Sequence, residues 1–195
     1  MTTRIAIQMD STSAEPDLIQ RARSDPNAFS ELYRKYVNRV YRYHLAHCGN
    51  PKDAEDLTSQ TFIAALEGLR SFRGAGSFAA WLLGIASRKR LMFFRKRGQW
   101  REVELDAASQ LPSPGMSIDQ LTQLRLQMDL IARALRQIHT DRAEAVSLAY
   151  FGGLAIAEIS HLMNRTEAAV KMLISRGLQD LRERTSLALE AEDEQ

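Results

Sequence analysis

Six cations within ten residues, Arg88, Lys89, Arg90, Arg95, Lys96 and Arg97, with Phe93 and Phe94 between them and Trp100 just beyond, are the side chains best suited to engage another molecule. Lysine and arginine neutralise phosphates and release their counterions, and aromatic faces stack on unpaired bases, so this pattern suits single-stranded nucleic acid. It is also compatible with a solvated helix face, or with a phosphate patch that has no sequence preference. Charge along the chain is segregated. No acidic residue occurs between Glu67 and Glu102, where nine basic residues give a local charge of +9, although the whole 195-residue chain carries only +2. Glu102, Glu104 and Asp106 follow directly, and residues 190–195 close the chain on an acidic run. One surface therefore attracts anions while its flanks repel them.

A second constellation lies near the C-terminus. Ala155 to Met163 reads as a short helix, Asn164-Arg165 as a turn, and Thr166 as the cap of a longer helix with Val170, Ile174, Leu178 and Leu181 inward. This is the pattern of a helix-turn-helix. A helix seated in the major groove needs outward polar side chains near its N-terminal half. Glu167, Lys171, Met172, Ser175 and Arg176 are placed there; Ser175 can reach a base edge, and Lys171 and Arg176 can reach phosphate or guanine. Five Lys/Arg against four Asp/Glu over residues 154–184 give the motif little net charge, and two short amphipathic helices also occur in ordinary bundles.

His44, His47 and Cys48 gather three potential zinc ligands at a helix end, but without a clear fourth they read as a polar helix terminus, and neither metal nor cofactor is expected. No nucleophile with its base, no paired carboxylates and no glycine-rich phosphate loop is recognisable, so no catalytic residue is assigned and the chain is not expected to be an enzyme. With Cys48 the only cysteine, an internal disulfide is excluded. No apolar run reaches membrane-spanning length and no secretory signal opens the chain, which predicts a cytoplasmic protein without membrane insertion.

The elements that must position these groups are helices throughout. Residues 1–15, rich in Thr and Ser, read as a flexible tail. A short helix over 17–24 precedes Asp25-Pro26-Asn27, after which Phe29, Leu32, Tyr33, Tyr36, Val40 and Tyr43 recur at helical spacing until Gly49-Asn50-Pro51. A third helix starts near Lys52, with Ala54, Leu57, Ile63, Leu66 and Leu69 expected on its buried face. Phe72 to Ser77 is a turn by composition, and Ser77 can cap the basic fourth helix, in which Trp81 reads more readily as core than as a base contact. Periodicity fails from Gly98 to Ser117, around Leu111-Pro112-Ser113-Pro114-Gly115, which predicts a linker. It returns at Leu121, Leu124, Met128, Ile131 and Leu135, and Asp141-x-x-Glu144 is compatible with a capping box. The expected fold is all-α: two small helical domains, 16–98 and 121–187, joined by a flexible linker over 99–120, the second domain a helix-turn-helix, and an acidic tail over 188–195.

In this order the parts resemble the extracytoplasmic-function sigma factors of the sigma-70 family. The carrying residues are Asp53-Ala54-Glu55-Asp56-Leu57, Thr61-Phe62, Phe72-Arg73-Gly74, Phe78-Ala79-Ala80-Trp81-Leu82 with Ile85-Ala86, and Gly153-Leu154 through Ile159 to Val170-Lys171. The resemblance covers about residues 17 to 187. It implies a non-catalytic subunit that binds core RNA polymerase and promoter DNA and is held by an anti-sigma factor. Asp53, Asp56 and Gln60 fall in the segment that docks on polymerase. Arg73, Ser77, Arg88, Lys89, Arg95 and Lys96 fall in the region that captures a flipped base of the minus-ten element and holds the melted strand. Thr166, Glu167, Lys171, Met172, Ser175 and Arg176 fall on the helix that reads the minus-thirty-five element. Arg88 stands where the family commonly has Asn, and Met172-Leu173 where a Ser-Arg pair is frequent. Two other readings compete: a dimeric helix-turn-helix regulator working without polymerase, and a decoy that holds polymerase or an anti-sigma factor but reads no promoter.

Overall fold

The computed structural model describes residues 14–74, 76–99 and 118–193, and among them every regular element is helical. In chain order these are α1 (Ala14–Ala22), α2 (Pro26–Cys48), α3 (Pro51–Gly68), a 3-10 turn (Leu69–Ser71), α4 (Phe78–Gln99), α5 (Ile118–Gln137), α6 (Thr140–Val146), a π-helical turn (Ser147–Phe151), α7 (Ile156–Met163) and α8 (Glu167–Asp193). Most of the expected N-terminal tail and of the linker lies outside the described residues. No helix among the described residues is long and apolar enough to cross a membrane.

Local chemistry explains the helix ends. The Asp25 carboxylate accepts from Asn27 N at 2.8 Å ahead of Pro26, which supplies the fixed φ of a first helical residue and lacks only an N–H the helix could not use. At the other end of α2, Gly49 takes φ 69° and its N–H returns to Leu45 O. A Cβ there would also stand 3.0 Å from that of Ala132 on α5, so both backbone and space call for glycine. Asn50 then caps α3 through Lys52 N and Asp53 N.

The core starts on α2, where Ala28, Leu32, Tyr36, Val40 and Tyr43 follow the 3.6-residue period and are buried. Phe62, Ala65 and Leu69 cover one side, while Phe72, Phe78, Leu82, Leu83 and Ala86 cover another. Trp81 is half-buried; its ring centroid lies 5.2 Å from Phe72 and 5.4 Å from Phe78, within aromatic contact. The same cluster continues without a break into Leu148, Leu154, Ile159 and Val170, so the helix-turn-helix packs against the first helices rather than standing apart. A smaller cluster of Ala46, Leu135, Ile138 and Ala143 joins α2 to α5 and α6.

Two expectations about packing are corrected. Ile63 and Leu66 are 59% and 53% exposed, not core. The line at core spacing on α3 is Ala54, Leu57, Thr58, Thr61, Phe62 and Ala65. Thr58 and Thr61 are tolerated inside because their hydroxyls donate to Ala54 O and Leu57 O at 2.7 Å each. Ile63 and Leu66 fall on the opposite side. At α6 there is no capping box: the His139 ring accepts from Asp141 N at 3.2 Å, Asp141 pairs with Arg165, and Glu144 is buried elsewhere. The expected box fails because Glu144 has a stronger partner, the Arg90 guanidinium at 2.7 Å.

Candidate nucleic-acid interface

Phe72 and Ser77 are the anchored ends of the loop that leads into α4. Phe72 is buried, its carbonyl accepts from Arg23 at 2.7 Å, and the Ser77 hydroxyl accepts from Ala80 N at 3.1 Å, starting α4 as expected. Between those anchors Arg73 is exposed, and Gly74 and Gly76 take φ of 74° and 94° with nothing near a would-be Cβ. Ser77 also binds the carboxylate of Glu158 on α7.

Beyond the loop α4 divides into two faces. Phe78, Leu82, Leu83, Ile85 and Ala86 face the core, while Arg88, Leu91, Met92, Arg95 and Lys96 are exposed and Lys89 is half-buried. Arg88, Lys89, Arg95 and Lys96 therefore share the accessible part of one helix, a row of cations of the kind that suits a phosphate chain. The other two cations leave that face. Arg97 pairs with Asp53 at 2.6 Å, while its guanidinium stands 5.6 Å from the Phe93 ring centroid. Arg90 is only 7% exposed and points inward. Its Nε donates to Tyr43 at 3.1 Å and its guanidinium pairs with Glu144. Burial alone would lower the Arg90 pKa, but the Tyr43 and Glu144 oxygens outweigh it and raise the group.

The residues expected to dock on polymerase separate in a similar way. Asp53 is half-buried and tied to Arg97, whereas Asp56 and Gln60 lie exposed on the side of α3 that also carries Ile63 and Leu66, with Tyr33 of α2 42% exposed and its ring 4.7 Å from that of Phe62. Ile63 and Leu66 escape sequence reasoning because an apolar side chain on a helix is assigned inward by default. The signal available was that Leu57, Phe62 and Ala65 already complete a core line without them.

On the helix-turn-helix, Asn164 takes φ 52° between α7 and α8, and Thr166 caps α8 through Ala169 N at 3.2 Å. Val170 is fully buried, with Ile174 and Leu178 half-buried below it. Glu167, Lys171, Met172, Ser175 and Arg176 are all exposed, so the residues expected to read DNA are free of packing duties. Gly177 lets α6 approach: a Cβ there would lie 2.7 Å from Val146 Cγ2.

His44 and His47 are buried, His44 bonding Thr61 through Nε2 at 3.0 Å. Burial first, and Arg90 second, hold His44 down at about 3 and His47 well below its ordinary range, so both rings are neutral. His47 is 4.0 Å from Glu144, but a neutral ring makes no ion pair. Burial, with Asp53 next, pushes the Cys48 thiol up to about 12, which leaves it a poor nucleophile and ligand at neutral pH. Among the described residues no three His, Cys, Asp or Glu side chains are grouped to hold a metal ion.

The family model for Sigma-70 region 2 matches residues 32–101, and that for Sigma-70, region 4 matches residues 128–181. Over 179 residues the chain is 34% identical to the ECF RNA polymerase sigma factor BldN of Streptomyces coelicolor, covering 88% of this chain and 66% of BldN. The chain belongs to the sigma-70 family, among its extracytoplasmic-function members. Its similarity to the ECF RNA polymerase sigma factor SigE of Mycolicibacterium smegmatis is 33% identity over 158 residues, 80% of this chain and 61% of SigE. This sigma-family chain thus spans somewhat under two thirds of the length of each of these relatives. The sigma factor RpoE, solved in complex with the anti-sigma factor NepR from Bartonella quintana, shares the fold with TM-score 0.62 and 21% identity over 81% of this chain and 96% of that one. The region 2 match takes in the basic helix and the exposed side of α3, and the region 4 match takes in α6 and α7 with the exposed N-terminal face of α8.

Proposed function

We propose that this chain binds core RNA polymerase and directs promoter-specific initiation in the cytoplasm, as a binding subunit and not an enzyme. The observation that carries this reading is the pair of sigma-70 regions in order on one chain, each presenting a solvent-facing surface of the expected chemistry. Asp56 and Gln60, with Ile63 and Leu66 beside them, dock on polymerase, the apolar pair supplying desolvation and the polar pair fixing register. Arg73, Arg88, Lys89, Arg95 and Lys96, with Ser77 at the loop end, hold the melted minus-ten strand. Glu167, Lys171, Met172, Ser175 and Arg176, on a helix capped by Thr166, read the minus-thirty-five duplex. An anti-sigma factor is the expected antagonist, since RpoE was solved with one. The domain limits that go with this function are 16–98 and 121–187.

The docking surface is tested by fluorescence titration with core polymerase. Ile63→Asp places a charge in a face that must be desolvated and should weaken binding at least about tenfold, while stability in the free chain stays within about 0.5 kcal/mol because the residue is on the surface. Unchanged affinity would remove α3 from the polymerase interface.

A further inference from the structure

Four side chains from three helices meet where the two halves of the molecule touch. Tyr43 and His47 come from α2, Arg90 from α4 and Glu144 from α6, and all are buried. Arg90 pairs with Glu144 at 2.7 Å, the Tyr43 hydroxyl lies 3.0 Å from each Glu144 oxygen, and Arg90 Nε donates to Tyr43 at 3.1 Å. Among the described residues no other Arg or Lys ion pair is so deeply enclosed. Around it the halves share the apolar cluster that runs from α2 and α4 into Leu148, Leu154, Ile159 and Val170 and the smaller one of Ala46, Leu135, Ile138 and Ala143, and the polar contacts lie toward the rim: Arg39 to Gly153 O, Arg136 to His47 O, and Ser77 to Glu158. A buried ion pair adds little net attraction, because desolvation cancels most of it, yet either partner left alone inside is strongly unfavourable. Closure is therefore opposed whenever one charge is buried without the other, and separation returns both to water.

Closure also limits what the molecule can reach. A compact body of this length has a radius of gyration of about 16 Å and measures about 40 Å across. Promoter elements about 25 base pairs apart are separated by about 85 Å along duplex DNA. The closed form cannot occupy both. The eighteen residues 100–117 between α4 and α5 can extend to about 60 Å, so chain connectivity permits the halves to part. Closure moreover engages Ser77, at the end of the candidate base-capturing loop, with Glu158 of the helix-turn-helix.

We propose that Arg90, Tyr43 and Glu144 form a latch that holds the two helical units together in the free protein, in a form unable to span a promoter, and that release of Glu144 from Arg90 opens it. The functional consequence rests on the promoter-binding reading; the latch itself does not.

Small-angle scattering of the full monomeric chain, with circular dichroism as a check on helix content, tests it. Glu144→Gln keeps the shape but strips Arg90 of its counter-charge, and should raise the radius of gyration by at least about a quarter over the wild type, as expected when two packed units separate, with helix content retained. Arg90→Met together with Glu144→Leu replaces both charges by apolar groups and should return the wild-type radius. If Glu144→Gln loses helix content, Arg90→Gln, which leaves Glu144 as the charge without its partner, is measured in its place and should expand the chain. A helical Glu144→Gln or Arg90→Gln protein with wild-type radius overturns the latch. Neither polymerase nor DNA is present, so a chain that opens as expected but directs no transcription would sink the promoter reading and leave the latch standing.

Discussion

His44 and His47 sit three residues apart on α2, 0% and 3% exposed, where burial and neighbouring cations resist their protonation. Arg90 of α4 bears on both rings and Arg136 of α5 on His47, while Glu144 of α6, 4.0 Å from His47, would offset only part of the cost of a charge there. The folded-state pKa is thus lowered for both, to about 3 for His44, from the ordinary 6.5 that applies once the chain unfolds. For a base with a depressed folded pKa, the unfolded chain takes up the proton first. The stability is fully present above the unfolded value and is lost as pH falls below it, until the folded value is reached. Between pH 7 and pH 5 each ring gains nearly one proton on unfolding and almost none in the fold, a loss of about 2 kcal/mol per ring and about 4 kcal/mol for the two. That is a large part of a typical domain stability of about 5–15 kcal/mol. Urea denaturation at pH 7 and pH 5 measures it directly, and the same pair of curves on His47→Gln removes the contribution of carboxylates by difference. The drop should be about 2 kcal/mol smaller in the variant. An equal drop in both proteins would mean that His47 is protonated in the folded state, and the account of this buried cluster would fail.

Lys171→Ala and Arg176→Ala should each weaken binding of a minus-thirty-five duplex and reduce the slope of log affinity against log salt by about 1 if the residue meets phosphate; titration at several salt concentrations reads the slope, and an unchanged slope and affinity would take that side chain off the DNA. Gly177→Ala, whose Cβ would lie 2.7 Å from Val146 Cγ2 and 3.1 Å from Arg142 O, should cost about 1–3 kcal/mol by overpacking, seen as a lower thermal midpoint; a neutral result would mean that α6 and α8 are not packed this closely. Leu32→Ala empties a fully buried site and should cost about 2–5 kcal/mol in urea denaturation, whereas a loss under 1 kcal/mol would contradict its central place in the core.

Much of the architecture was legible in the sequence because its punctuation is chemically explicit. Asp25-Pro26, Gly49-Asn50-Pro51, Ser77 and Thr166 each act at the helix end where their side chains or φ preferences place them. The outward face of α8 was legible too, since Val170 and Ile174 fix the inward direction. Three features were not. Ile63 and Leu66 are apolar yet exposed, because two threonines that satisfy their own hydroxyls fill the core line of α3. Arg90 reads as one cation in a run, and nothing in the run reveals that it is the one turned inward. Its partner Glu144 is fifty-four positions away, a pairing that exists only because the fold brings the Glu144 side chain of α6 to Arg90 of α4 and Tyr43 of α2. Linear patterns report which face of a helix is apolar; they do not report which element of the other half will cover it.

Run-off transcription is the most direct test of the central claim. Purified core polymerase is supplied with genomic fragments selected for promoters, with and without the chain. Discrete starts should appear only when the chain is added. They should vanish for Arg88→Ala combined with Lys89→Ala, and on minus-thirty-five-dependent templates for Arg176→Ala. Core polymerase that neither binds the chain nor starts at any fragment in its presence would mean that the chain does not direct initiation.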